Sequence, residues 1–333
     1  MTPVKSRVVS GMRPTGPLHL GHLVGALRNW VPMQDQYECW YFVADWHALT
    51  SEYAATDDIA GHGYSNVADF IAAGLDPEKC TIFVQSLVPE HAELHLLLSM
   101  IIPVPWLERV PTYKEQRDQI SERDLSTYGF LGYPLLQTAD IIMYNAQLVP
   151  VGEDQVPHLE LSREVVRRFH AFYGEVFVEP QPLLTRFPRL PGLDNRKMSK
   201  SYGNAINLAD DAATVRTKVM AMYTDPARIR ADIPGNVEGN PVFTYHDAFN
   251  PDVAEVDELK ARYREGKVGD VEVKRRLIAA LELTLGPMRH RRAELLAKPD
   301  RLREIIEDGS RRARNVAGQT MARVREAMKI SYR

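Results

Sequence analysis

Residues 7–30 read RVVSGMRPTGPLHLGHLVGALRNW, and the fold turns on how this stretch is parsed. Arg7 to Ser10 form a short apolar run of strand type, Pro14, Gly16 and Pro17 punctuate it, and from His22 the pattern is that of an amphipathic helix. A strand that turns directly into a helix is the opening unit of a parallel sheet with crossover helices. Such a junction also points backbone N–H groups and the positive end of a helix dipole at one spot, which suits an anion such as phosphate.

The same alternation continues outward. CWYFVADW (39–46), CTIFVQS (80–86) and AQLVPV (146–151) read as strands, with helix-like stretches at 22–36, 56–73 and 92–102 between them. The fold class is therefore α/β with a Rossmann-like parallel sheet. After about Asn207 the texture changes to long helical patterns rich in Ala, Leu, Arg and Glu, as in DVEVKRRLIAALELTLGPMRHRRAELLA (270–297). Two domains are expected: residues 1–206 carrying the sheet and residues 207–333 forming a helical domain, its last helix packing back on the first.

The 333 residues are 44% hydrophobic and 26% charged with a net charge of −3, so no global electrostatic signature marks a polyanion partner. Residues 286–333 nevertheless hold thirteen Lys or Arg against six Asp or Glu. Both solvated helix faces and contact with RNA phosphates fit that surplus. The two cysteines, Cys39 and Cys80, exclude a disulfide framework and a four-cysteine metal site. They read as buried thiols in a reducing cytoplasm. The N-terminal segment lacks a signal-peptide core, and LLLSMIIPVPWL (96–107) is broken by Ser99, Pro103 and Pro105, so no membrane span is expected.

Two motifs carry chemistry. His19 and His22 could ligate a metal, but no cysteine and no second histidine pair sits at matching spacing, so no metal is assigned. Alternatively both imidazoles donate N–H groups to a phosphate whose charge grows during reaction, with Gly21 leaving room for an adenine ring. The second motif is GLDNRKMSKSYGN (192–204), whose Lys197, Lys200, Ser199 and Ser201 can close over a triphosphate and neutralise a leaving pyrophosphate.

HLGH (19–22) together with KMSKS (197–201) resembles the signature pair of class I aminoacyl-tRNA synthetases. FVADWHALT (42–50), YPLLQTADIIMYNAQLVPVGEDQVPHLELSREVVRRF (133–169) and PGLDNRKMSKSYGN (191–204) are similar to the tryptophanyl branch along nearly the whole chain. The resemblance implies activation of L-tryptophan with ATP and Mg²⁺ and transfer to tRNA(Trp), in a cytoplasmic homodimer whose helical domain binds the anticodon. It implies a catalytic set of His19, His22, Lys114, Lys197 and Lys200. ATP would be touched by Arg13, Pro14, Thr15, Gly21, His22, Gly152, Glu153, Asp154, Leu190, Lys197, Met198, Ser199, Lys200 and Ser201. Tryptophan would be held by Val9, His47, Tyr133, Gln137, Asp140, Ile141, Val149, Val151 and Gln155.

Helix geometry supports part of this pocket. Tyr133, Gln137, Asp140 and Tyr144 fall at i, i+4, i+7 and i+11, one polar stripe in an apolar helix, and a buried carboxylate there needs a partner such as an indole N–H. A structural ladder between helices is the competing reading of the stripe, and an N-cap that of Asp154. Three departures from the family pattern stand out: Arg13 for Gln, His22 for Asn and Gln137 for Met. Some relatives carry a four-cysteine iron–sulfur cluster near the position of REGKVGDVEVKRR (264–276); with no cysteine there, no cluster is expected. Tyrosine is the rival substrate, because a carboxylate accepts O–H as readily as N–H, but the first-strand position where tyrosyl enzymes place a second Tyr is Val9. A nucleotidylyltransferase and a catalytically idle RNA-binding paralogue are further alternatives.

Overall fold

The computed structural model describes residues 5–110, 125–152, 155–184, 190–198 and 202–332. The chain divides into two compact units, one made of Met1–Gly16, Asn29–Arg186 and Lys298–Arg333, the other of Pro17–Arg28 and Phe187–Ala297. This differs from the boundary expected at 206/207, which followed the change in composition. Backbone pairing overrides composition there: Leu20 N–H donates to Ile206 O at 3.0 Å and Leu208 N–H to Leu18 O at 2.8 Å, tying the segment after the first strand to the second unit.

In the first unit β1 (Arg7–Met12), β2 (Glu38–Val43), β3 (Thr81–Val84), β4 (Leu148–Val151) and β5 (Gln181–Leu184) form a parallel sheet of order β3-β2-β1-β4-β5. The order reverses beside β1, which places the carboxyl ends of β1 and β4 at a topological switch point. β2 is a nearly continuous buried run, as a strand covered on both faces must be. β5 (QPLL) went unrecognised in the sequence, being short, half-exposed and interrupted by Pro182.

The helix after β1 is not a single α-helix. It opens as one turn, α1 (Leu20–His22), widens to a π-helical turn at Leu23–Leu27 and continues as α2 (Arg28–Gln36) with Pro32 inside. CWYFVADW splits as well: the strand stops at Val43 and α3 (Asp45–Glu52) begins, so His47 stands on a helix. The helices of the first unit also include α4 (Ile59–Ala73), α5 (Glu90–Ser99), α6 (Val104–Glu108), α7 (Tyr128–Ile142) and α8 (Val156–Tyr173), whereas α1 and the π-helical turn belong to the second. Thr127 caps α7 by accepting Phe130 N–H, and Thr138 Oγ1 lies 2.9 Å from Ser162 Oγ, which links α7 to α8.

The second unit is built on α9 (Ala212–Met220), α10 (Pro241–Phe249), α11 (Val253–Arg264) and α12 (Asp270–Leu296). Asp211, Asn240 and Asp252 cap the first three by accepting backbone N–H groups. Two buried cations hold loops to helices. Lys274 donates to Met220 O and Met222 O, and Arg228, stacked 4.0 Å over the Tyr263 ring, donates to Ala231 O, Ile233 O and Val268 O.

The last helix, α13 (Pro299–Ala327), returns to the first unit and covers edge strand β3. A Cβ at Gly309 would stand 1.8 Å from Ile82 O, so only glycine allows this approach. Ser310 Oγ accepts Val84 N–H at 3.4 Å and Arg312 donates to Pro77 O and Cys80 O. Polar groups that an open edge would present to another chain are thereby satisfied within the fold. Burial pushes the Cys39 thiol up to about 11 and the Cys80 thiol up to about 12, which leaves both in the unreactive protonated form.

Candidate active site

A cavity of about 410 Å³ opens in the first unit, within the range of small-molecule sites. β1 supplies Val9, β4 supplies Val149 and Val151, α3 supplies His47, α7 supplies Tyr133, Gln137, Asp140 and Ile141, and the turn into α8 supplies Gln155. Every residue that the resemblance assigned to tryptophan thus lines one cavity, and Arg13 and Gly152 from the nucleotide set line it too. Tyr144 departs from the expected stripe. It lies past the end of α7, fully buried, and stays off the cavity wall.

Asp140, 1% exposed, is the electrostatic centre. Its Oδ2 lies 2.8 Å from His47 Nε2, its Oδ1 2.5 Å from His91 Nδ1, and Gln85 Nε2 donates to both oxygens at 2.8 and 2.9 Å. Gln85 is itself oriented, because its Oε1 accepts Trp46 N–H at 3.2 Å. Burial alone would raise the pKa of this carboxyl. The charge of His91 and the hydrogen bonds from His47 and His91 outweigh it and hold the group down at about 2. Asp140 is therefore an ionised, acceptor-only group at the wall of a cavity otherwise lined mostly by apolar, amide and phenol side chains.

The sequence reading missed Gln85 and His91 behind this carboxylate, and Phe42, Phe130 and His158 on the cavity wall. A signal existed for both histidines. His91, Leu94 and Leu98 fall at i, i+3 and i+7 on α5, and His158, Ser162, Val165 and Phe169 at i, i+4, i+7 and i+11 on α8, so each imidazole interrupts a buried face.

The second unit holds the other pair of motifs. His19 Nδ1 accepts Gly21 N–H and His22 Nδ1 accepts His19 N–H, both at 3.1 Å, with the rings 3.8 Å apart. Because each Nδ1 is an acceptor, the neutral rings carry their protons on Nε2. Met198 reaches this bend: a Cβ on Gly21 would stand 3.1 Å from its Sδ and 2.9 Å from His19 Cε1. Lys197 bridges to Pro191 in an antiparallel turn that Gly192 N–H closes onto Arg196 O at 2.7 Å. Asn204 clamps the turn from behind through Asp194 Oδ1 and Lys197 O. Leu190 is buried, while Pro14 and Thr15 belong to the first unit and stand outside the cavity wall. Lys114, Glu153, Asp154, Ser199, Lys200 and Ser201 lie outside the described residues. The helix after the loop takes Gln155 as its N-cap.

A cavity with a buried carboxylate at the switch point of a parallel sheet defines a small-molecule-binding protein of the doubly wound α/β class. The family model for class I tRNA synthetases (W and Y) matches residues 2–286, and the chain belongs to this family. It is 50% identical to the tryptophan–tRNA ligase of Thermotoga maritima over 98% of this chain and all of that one. It is also 50% identical to the tryptophan–tRNA ligase of Treponema pallidum, over 98% of each chain. Among solved structures it is similar to the tryptophanyl-tRNA synthetase of Campylobacter jejuni complexed with ADP and tryptophan, with a TM-score of 0.87, 31% identity and coverage of 97% of this chain and 99% of that one.

Proposed function

We propose that this chain activates L-tryptophan with ATP and transfers it to tRNA(Trp), releasing pyrophosphate and AMP. A tryptophan carboxylate oxygen attacks the α-phosphorus in line, the bond to the bridging oxygen breaks, and pyrophosphate leaves; Mg²⁺ bound with the nucleotide would supply further neutralisation of its charge. A terminal ribose hydroxyl of the tRNA then attacks the adenylate carbonyl, the C–O bond to the phosphate breaks, and AMP departs with its phosphate taking the hydroxyl proton. In the activation step the nucleophile arrives already ionised, so there the protein supplies position and charge rather than an acid–base pair.

The observation that carries this reading is the ionised Asp140 at the cavity wall, an acceptor for the indole N–H. Gln155 and Tyr133 hold the α-amino group, with Val9, Ile141, Val149 and Val151 against the ring. An apolar Val9 supports tryptophan over tyrosine, whose phenol would seek a second polar partner. In the second unit the Nε2–H groups of His19 and His22 and the Lys197 ammonium serve the ATP phosphates and Leu190 backs the adenine, with Ser199, Lys200 and Ser201 of the same loop assigned to the phosphates; Lys114 is assigned to them by family resemblance alone. The helices beyond Asn207 take the tRNA anticodon.

The same reading places the enzyme in the cytoplasm as a homodimer. Leu96, Met100 and Val104, each more than half exposed, support a subunit contact on α5 and α6, and no helix among the described residues is long and apolar enough to cross a membrane. Aminoacylation with tryptophan and tyrosine in parallel tests the proposal; charging with tyrosine, or with neither, rejects it. Asp140→Ala should lower kcat/KM for tryptophan in ATP–pyrophosphate exchange by more than about tenfold, the loss of one charged hydrogen bond.

A further inference from the structure

Asp140 is held from behind as well as from the cavity side. His47, on Oδ2, lines the cavity, whereas His91, on Oδ1, is fully buried and does not. The far nitrogen of His91, Nε2, lies 2.7 Å from the hydroxyl of Tyr144, also fully buried. Burial pushes the Tyr144 phenol well above its ordinary value, so it keeps its proton and stays a neutral hydrogen-bond partner of Nε2. An ionised carboxylate can only accept, so His91 Nδ1 carries a hydrogen that faces Asp140 Oδ1. Tyr144, His91 and Asp140 thus form a buried hydrogen-bonded chain whose last donor, His91 Nδ1–H, engages Oδ1, while the cavity-lining His47 engages Oδ2.

We propose that His91, oriented by Tyr144, is a positioning residue for amino-acid recognition: it fixes the Asp140 carboxylate so that Oδ2 meets the ring N–H of the substrate. The inference rests on the reading of the cavity as the tryptophan pocket. Neither residue touches substrate, and both act through Asp140. Without the donor on Oδ1, the carboxylate would have to rotate toward whatever donors remain, Gln85 and His47, and the acceptor direction into the cavity would be lost.

The test is ATP–pyrophosphate exchange by the full chain with L-tryptophan and with β-(3-benzothienyl)alanine, in which sulfur replaces the ring N–H. His91→Leu should raise KM for tryptophan about 10- to 100-fold and leave KM for ATP within about twofold of the parent. With the sulfur analogue the same variant should match the parent within about twofold, since that substrate has no hydrogen to be met. His91→Asn places an amide N–H where Nδ1 sits and should restore KM for tryptophan to within about threefold. Equal losses with both amino acids, or no loss with tryptophan, overturn the proposal. Should His91→Leu fail to fold, Tyr144→Phe decides. A rise in KM of about threefold for tryptophan alone supports the chain, and an unchanged value rejects it. Asp140→Asn separates the two readings. If it leaves KM for tryptophan unaltered, the pocket assignment falls; if it raises KM while the His91 and Tyr144 variants do not, the positioning role alone falls.

Discussion

At the amino-acid cavity, three side chains from different elements converge on Asp140, whereas at the imidazole bend of the second unit the ring nitrogens take their direction from adjacent backbone N–H groups. The first arrangement joins residues 47, 85, 91 and 140 across the sheet; the second is complete within His19 to His22 and needs only the turn around Lys197 to be seated against it. A site built by distant side chains stands or falls with the packing of the sheet and its covering helices. One built by local backbone depends instead on the absence of a side chain at one glycine.

The largest effect should come from the cover over the sheet edge. In Gly309→Ala the new Cβ would strike a backbone carbonyl, which cannot rotate away, so α13 must lift from β3. We expect a loss of about 3 kcal/mol in chemical denaturation, at the top of the range for overpacking. A loss below about 0.5 kcal/mol would show that α13 is not a structural part of the sheet-bearing unit.

Acid should divide the two regions next. The Asp140 carboxyl is depressed from 3.8 to about 2 on folding, so its contribution is fully present above pH 3.8 and disappears as pH falls through about 2. Nearly two pH units correspond to about 2 kcal/mol. Between pH 5 and pH 2 the parent protein should lose about that much more unfolding free energy than Asp140→Asn, as measured by urea titration at each pH. Parallel curves would mean that the carboxyl titrates alike in the folded and unfolded chain.

These two regions were unequally legible in the sequence. The bend at His19 to His22 is a short-range feature, and its residue types and spacing were enough to mark it. The polar stripe on α7 was equally local, and Tyr133, Gln137 and Asp140 share a wall as helix geometry requires. What the stripe could not reveal was its partners: Gln85 follows β3 and His91 opens α5, and although His91 interrupts a buried helix face, nothing local in the sequence pairs either residue with Asp140. The division of the chain was hidden for the same reason. Composition changes near 207, but Leu18 and Leu20 pair with Ile206 and Leu208, and Gly309 meets Ile82 across more than two hundred residues. Such long-range backbone approaches leave only a lone glycine as their trace.

Gly21→Ala probes the backbone-built region. Its Cβ would press on the His19 ring and Met198 Sδ, both able to give by a few tenths of an ångström, so the effect should be moderate. An increase in KM for ATP of about tenfold, with KM for tryptophan within about twofold, is expected from pyrophosphate exchange. Gly25→Ala is the internal control, because a Cβ there meets nothing within 4 Å. If both variants behave alike, the contact between bend and turn has no part in nucleotide use.

The smallest expected effect concerns the basic surplus near the C-terminus. In α13 Arg325 makes a two-point ion pair with Glu93, Arg314 lies 3.3 Å from Glu90, and Arg312 donates to carbonyls beside β3, so these charges face acidic or carbonyl partners of the first unit. The Arg325–Glu93 pair is about two-fifths exposed on both sides, where screening limits an ion pair to about 0.2–1 kcal/mol. Arg325→Ala should therefore cost no more than about 1 kcal/mol. A charge already neutralised by a carboxylate releases no counterion when RNA binds, so the slope of log affinity for tRNA against log salt should change by less than about half a unit. A drop approaching 0.9, the value for one lost phosphate contact, would assign this helix to the RNA-binding surface instead.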